Sequence, residues 1–307
     1  MTAFDHAYQR LLLATLSGQR RQTRTVLRST GTSVDALTVF APPPLVLNLT
    51  DDFPALTLRR LSLKVVAAEL LWFTSGSTNA ADLRAMGAGI WDEWAREDGD
   101  LGPIYGAQWR AFHGRDGRVY DQIAALIEDI AAVANNPAHP AARRLLLTGY
   151  NPADAQVAAL PPCHVLAQWD VDHDRRALSC QVVQRSADVY LGLPYNVASY
   201  ALLTHLLARV SGLVPGTLTH VIGNAHLYAN HVDQAHELLR RRPMASPGLR
   251  ISHVDSTGLV YRDLRWDGQR FGLTCALVPR SFLPLRPDHC ALVDYHPHPA
   301  LPGAVAV

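Results

Sequence analysis

ALSCQVVQRSADVYLGLPYNVASYALLTHLLARVSG, residues 177–212, decides how this chain is read. Its first part, 177–185, is rich in strand formers and reads as a β-strand. Its last part, 195–212, reads as a long buried helix stopped by Gly212 and Pro215. Strands are expected on either side, at 143–150, 164–171 and 217–223. Beyond them come a helix at 231–242 and strands near 249–254, 258–265 and 271–278. The N-terminal half reads mostly as helices: 4–17, 61–73, a short one after the N-cap Asn79, and 121–134. Strand-like LTVF and LVLNL stand at 37–40 and 45–49. Helices and strands come in mixed runs and not in strict βαβ alternation, which points to an α+β fold. No internal repeat and no change of composition marks a linker, so residues 1–307 are expected to form a single domain.

Composition narrows the function. Of 307 residues, 48% are hydrophobic and 18% charged, enough for a large core and unlike a disordered chain. The net charge of +1 gives no field for nucleic acid. Arginines outnumber lysines and come in runs: Arg59-Arg60, Arg143-Arg144 and Arg240-Arg241-Arg242. The last run closes a helical pattern before Pro243, where cations suit a helix end. No apolar run is long enough for a membrane span, and the N-terminus lacks the pattern of a signal peptide. Cysteines at 163, 180, 275 and 290 have no C-x-x-C pairing. Reduced thiols in a cytoplasmic protein are therefore expected.

Several short stretches carry chemistry. LPPCH (160–164) places Cys163 between two stiff prolines and a strand. Such an entry can aim a thiol, and it suits a buried structural cysteine equally well. Glu69 lies within the almost wholly apolar LSLKVVAAELLWF (61–73), where a carboxylate needs a hydrogen bond or a raised pKa. IWDEWAREDGDLGPIYGAQW (90–109) mixes Trp, acid and Gly, which suits a flat heteroaromatic ligand or a packed surface loop. QRSADVYLGLPYN (184–196) carries Arg185 and Ser186, an anion-binding pair, and Asn196. An Asn amide can accept from a ring imide N–H and donate to the carbonyl beside it, the face uracil presents. Helix capping is the plainer role for Asn196. GNAHLYANH (223–231) sets His226 and Tyr228 two apart, suited to a sugar hydroxyl. His226 and His231 lack a third ligand at metal spacing, and a metal site at His296 and His298 with Cys290 is the minority reading, since a proline-rich tail places such residues by chance; no metal is expected.

Taken together these stretches resemble the folate-dependent, flavin-free thymidylate synthase family over nearly the whole chain. The resemblance rests on ELLWF, IWDEWAREDGDLGPIYGAQWR, the Arg pair at 143–144, LPPCH, LSCQVVQRSADVYLGLPYNVASYALL, GNAHLYANH, and the closing YHPHP with Val305-Ala306-Val307. It implies a large twisted mixed sheet with helices packed on one face, and a homodimer formed sheet to sheet. It implies dUMP as substrate and 5,10-methylenetetrahydrofolate as co-substrate. Cys163 matches the nucleophile, with Arg185 favouring its thiolate. Arg28, Arg185 and Ser186 match phosphate ligands, joined by Arg143 and Arg144 donated across the dimer. Asn196 matches the uracil reader, and His226 and Tyr228 hold the deoxyribose. Trp91, Trp94, Asp188, Leu191, Gly192 and Tyr195 match the folate site, with Asp188 also on the substrate side and Val305 and Ala306 in the lid. Glu69, His164 and Tyr105 match the network that moves protons.

The implied reaction makes dTMP and dihydrofolate through a covalent Cys163 adduct. Related hydroxymethylases add water to the same exocyclic methylene and release tetrahydrofolate, and a non-catalytic nucleotide- or RNA-binding relative is a third reading. This chain departs from the family's pattern in four places. The phosphate loop at 28–40 is longer. Arg59 and Ser62 stand where the family has lysine and histidine on the folate side. Tyr195 replaces phenylalanine, and residues 245–292 match poorly.

Overall fold

The computed structural model describes residues 3–23, 25–27, 30–50, 52–115, 117–254, 260–261 and 285–305. Arg28 and Ala306 lie outside them, as do Cys275 and most of the strands expected at 258–265 and 271–278.

The chain opens with helix α1 (Ala3–Leu16), then strands β1 (Gln19–Arg21), β2 (Ala36–Phe40) and β3 (Leu45–Asn48). Four helices follow: α2 (Leu63–Ser75), α3 (Ala80–Ala85), α4 (Tyr105–Arg110) and α5 (Gln122–Asn135). Strands β4 (Leu146–Thr148), β5 (His164–Asp172) and β6 (Ala177–Asp188) then lead into the long helix α6 (Gly192–Val210). Strand β7 (Val214–Tyr228), helix α7 (Val232–Arg240), and the paired strands β8 (Gly248–Ile251) and β9 (Cys290–Val293) complete the chain.

Seven strands form one mixed sheet in the order β1-β2-β7-β6-β5-β4, with β3 also paired to β7. β6 and β7 run parallel, joined by the crossover helix α6, and the other pairs in this sheet are antiparallel. The fold is thus α+β with a large mixed sheet, as expected. The inner face alternates along β6 as buried Cys180, Val182 and Gln184, with exposed Gln181 and Arg185 on the other side. Against that inner face packs α6, and α2 packs on α6; their Leu70, Trp72, Phe73, Leu202, Leu203 and Leu207 are buried in one continuous core.

Four boundaries differ from the sequence reading, each for a physical reason. β7 runs from 214 to 228, well past 223, so GNAHLY belongs to the strand. Pairing with β2 on one side and β6 on the other carries it onward. The strand expected at 143–150 shrinks to Leu146–Thr148, because Arg143 and Arg144 lie in the preceding turn. α6 begins at Gly192, and Asp188 Oδ1 accepts from the backbone N–H groups of Tyr190 and Leu191 just before it, at 2.8 and 3.0 Å. Asn196 is therefore inside the helix and free of capping. Ser62 caps α2 instead, accepting from Val65 N–H, while α4 had no expected helix at all.

Candidate active site

The cluster forms where β5 begins, beside the end of β6 and the start of α6. Cys163 precedes the first residue of β5, and its backbone is clamped on both sides. Its N–H donates to the Tyr105 hydroxyl at 2.7 Å, and its carbonyl accepts from Arg185 N–H at 2.8 Å. The Arg185 guanidinium donates to both proline carbonyls, Pro162 at 2.9 Å and Pro161 at 2.8 Å. The LPP segment is thus bolted to β6 through one side chain. Burial pushes the Cys163 thiol up, and the Arg185 cation opposes that by favouring the thiolate.

Tyr105 comes from α4, whose position depends on Gly106. A Cβ there would run into the Ser77 carbonyl. The Tyr105 oxygen accepts from the N–H groups of both Cys163 and His164, the second at 3.2 Å. Its lone pairs are occupied, so its own O–H is left to donate elsewhere. Burial raises its pKa far above the ordinary value, which keeps that proton in place.

Glu69 projects from α2 and is buried. Its Oε1 accepts from Trp91 Nε1 at 2.7 Å. Burial pushes its carboxyl up to about 7, with the Trp91 hydrogen bond pulling the other way. A carboxyl that changes charge near neutrality is suited to taking and returning a proton. The His164 ring lies between Tyr105, tilted against it, and Tyr200, edge-on, with ring centroids 4.9 and 5.2 Å away. Burial lowers it to about 4, so it stays neutral at pH 7.

Asn196 Oδ1 accepts from Gln184 Nε2 at 3.0 Å. On the neighbouring strand, His226 and Tyr228 sit two residues apart on one face, their rings 5.1 Å apart. Ser186 Oγ lies 3.4 Å from His226 Nδ1, and the Tyr228 hydroxyl 3.5 Å from Thr25 Oγ1. Parallel register sets Asp188 beside His226. Trp94 is half-buried, edge-on to Trp91 at 5.9 Å. Tyr195, Leu191 and Gly192 are partly exposed on the first turn of α6.

The C-terminal tail is strapped to the same region. Tyr190 hydroxyl donates to Leu301 O at 2.6 Å, and His231 Nε2 lies 2.9 Å from Ala304 O. Tyr295 hydroxyl donates to Leu56 O at 2.7 Å. Val305 follows, 41% exposed. Arg59 is buried, donates to the Tyr190 carbonyl, and lies over the Tyr190 ring at 4.8 Å. It therefore braces the turn into α6 from within.

Two expected residues do not join the cluster in this chain. Arg143 and Arg144 are exposed, and the Arg144 guanidinium donates to Pro140 O. Among the described residues no group of three or more His, Cys, Asp or Glu has the arrangement to hold a metal ion. No helix among them is long and apolar enough to cross a membrane. Sequence reasoning missed Gln184 and His220, which stand behind Asn196 with Gln184 Oε1 2.7 Å from His220 Nε2. Their only signal was polarity at inward positions of two strands, 2% and 0% exposed. The family model for thymidylate synthase matches residues 6–307.

Proposed function

Because the chain belongs to the thymidylate synthase family, we propose that it converts dUMP and 5,10-methylenetetrahydrofolate to dTMP and dihydrofolate. An enzyme of this kind uses methylenetetrahydrofolate as co-substrate. That compound supplies the one-carbon unit and, in the synthase reaction, the hydride that completes the methyl group. The observation that carries the proposal is the pairing of a clamped Cys163 beside Arg185 with a buried Glu69 that titrates near neutrality.

The residues divide the work as follows. Cys163 adds as thiolate to carbon 6 of the uracil, which makes carbon 5 nucleophilic. Asn196 accepts the ring N3–H on Oδ1 and donates from Nδ2 to O4, where negative charge gathers. Arg185 and Ser186 bind phosphate with Arg28, and Arg143 and Arg144 come from the partner. His226 and Tyr228 hold the 3′ hydroxyl. The C5 proton leaves toward Glu69, with the Tyr105 hydroxyl and neutral His164 lining its way. Trp91, Trp94, Leu191, Gly192 and Tyr195 take the folate, the aromatic faces suiting a flat pterin, with Asp188 beside them. Excluding water is the role assigned to Val305 and Ala306, which follow the tail segment tied down at Leu301 and Ala304. The reading takes residues 1–307 as one domain working as a homodimer. Free thiols at Cys163, Cys180 and Cys290 fit a cytoplasmic setting.

The outward face of the sheet supports the dimer. Val46, Thr219, Gln181, Gln168 and Leu146 lie opposite one another in register across five strands. Val46 is 59% and Leu146 43% exposed. A shallow depression of about 480 Å³ lies along Gln168, Ser179, Gln181, Thr217 and Thr219.

One incubation tests the reading: the protein with dUMP and methylenetetrahydrofolate, products identified by nucleotide mass and folate absorbance. dTMP with dihydrofolate is expected. Hydroxymethyl-dUMP with tetrahydrofolate would replace hydride transfer by water addition, and no turnover with dUMP bound would favour a non-catalytic relative.

A further inference from the structure

The C-terminal tail is tied down by different groups along its length. His298 N–H donates to the Thr57 carbonyl, and Arg241 donates to Pro299 O. From Leu301 to Val305, the tail's hydrogen bonds among the described residues are all accepted by two of its carbonyls. Leu301 O accepts from the Tyr190 hydroxyl at 2.6 Å. Ala304 O accepts from His231 Nε2 at 2.9 Å, with Asn230 Nδ2 a longer second donor at 3.2 Å. A carbonyl only accepts, so the His231 proton sits on Nε2. Its Nδ1 is buried and has no partner among the described residues. Tyr190 and His231 are both fully buried, their rings 4.7 Å apart. Gly303 stands between the two gripped carbonyls. It comes so close that a Cβ there would lie 2.6 Å from Tyr190 Cε1 and 2.8 Å from His231 Nε2. Tyr190 directly precedes the turn into α6, and His231 follows three residues after the end of β7. The tail is thus seated where the elements carrying Asn196 and His226 begin and end.

We propose that Tyr190 and His231 are positioning residues whose hydrogen bonds seat the tail over the folate side of the site, and so keep water from the exocyclic methylene. The inference rests on the proposed conversion of dUMP to dTMP. Either fate of the methylene forms one new bond to its carbon, restores the C5–C6 double bond and expels Cys163 as thiolate. Hydride comes from tetrahydrofolate, which is oxidised to dihydrofolate, and leaves a methyl group. Water adds instead through its oxygen, loses a proton to solvent, and leaves a hydroxymethyl group with tetrahydrofolate unoxidised. A tail that lifts from its seat admits water, so the share of the second product reports how firmly the seat holds.

The test incubates the parent, Tyr190→Phe, His231→Phe and His231→Gln with dUMP and methylenetetrahydrofolate and counts both nucleotide products by mass. The parent is expected to give almost entirely dTMP. Tyr190→Phe and His231→Phe each keep a ring and lose one donor. The share of hydroxymethyl-dUMP should rise roughly 2- to 10-fold in each, the worth of one hydrogen bond on the seating equilibrium. His231→Gln, whose amide N–H reaches the same carbonyl, should bring the share back toward the parent's. The dUMP dissociation constant, read by calorimetry, should stay within about twofold throughout, since the tail and not the nucleotide loses a contact. An unchanged share in either phenylalanine variant, no recovery in His231→Gln, or dUMP affinity that falls as the share rises overturns the seat and leaves the proposed function standing. A parent that makes no dTMP overturns both. Should His231→Phe fold poorly, Tyr190→Phe decides, because it removes a single oxygen.

Discussion

Cys163 takes its direction from its backbone: Tyr105 holds its N–H, Arg185 N–H holds its carbonyl, and the Arg185 guanidinium holds the two prolines before it. The thiol itself takes no part in that scaffold. Cys163→Ala should therefore leave the loop in place, with dUMP affinity within about threefold of the parent while turnover falls by at least ~10⁴-fold. Calorimetry beside single-turnover assays checks this, and retained turnover would remove Cys163 as nucleophile. Glu69 must be ionised to take a proton, and burial raises its carboxyl to about 7. kcat/KM should accordingly fall as pH drops through about 7, since the protonated fraction grows. Trp91 supports the ionised form through its indole N–H. Trp91→Phe removes that support, so the acid limb should move to higher pH by about one unit. A pH profile with the limb unmoved would separate Glu69 from the rate.

At the scale of elements, α4 is the weak point that the site depends on. Six residues long, it carries Tyr105 and is held by close approach of Gly106 to the Ser77 carbonyl. Gly106→Ala should cost roughly 1–3 kcal/mol by overpacking and lower kcat as Tyr105 shifts. Gly248→Ala meets nothing nearer than Val293 Cβ at 3.8 Å and serves as the control. Denaturant unfolding with steady-state kinetics reads both, and a Gly106→Ala protein as active and stable as the parent would count against this role for α4. The same contrast explains what the sequence made legible. β6 and α6 are long, and their apolar patterns survive tertiary context, so their existence is readable from residues alone. α4 has too few turns to show a period and exists because other elements press on it. β7 was readable only to 223, since GNAHLY alternates weakly and becomes strand through its neighbours. Cys163, Glu69 and Asn196 stood out because each is chemically out of place locally. Gln184 and His220 did not, because a polar residue facing inward on a strand has meaning only once its partner across the sheet is known.

At the scale of the molecule, the single chain gathers Cys163, Glu69 and Asn196, the proposed nucleophile, carboxyl and base reader, at one end of the sheet. It leaves Arg143 and Arg144 outside, on the turn before the edge strand β4. Arg143 makes no hydrogen bond or ion pair among the described residues, whereas Arg110 pairs with Asp121 and Arg241 donates to the Leu58 carbonyl. The outward sheet face beside that edge carries exposed Val46 and Leu146, a pattern that sheet-on-sheet packing covers. Two copies joined through this face by a two-fold axis would give each subunit the same relation to the other's site. A site completed by the partner makes a sharp prediction, because the two defects then lie in different sites of a mixed dimer. Arg143→Ala has its own Cys163 and lacks a phosphate ligand in the partner's site. Cys163→Ala can still lend Arg143 to its neighbour. Each protein alone should be nearly inactive. Equal amounts refolded together should recover about a quarter of the parental activity, since half the dimers are mixed and each has one complete site. Recovery must follow the formation of mixed dimers, measured by native mass spectrometry. Verified mixed dimers with no recovered activity would mean that each subunit binds phosphate with its own arginines alone.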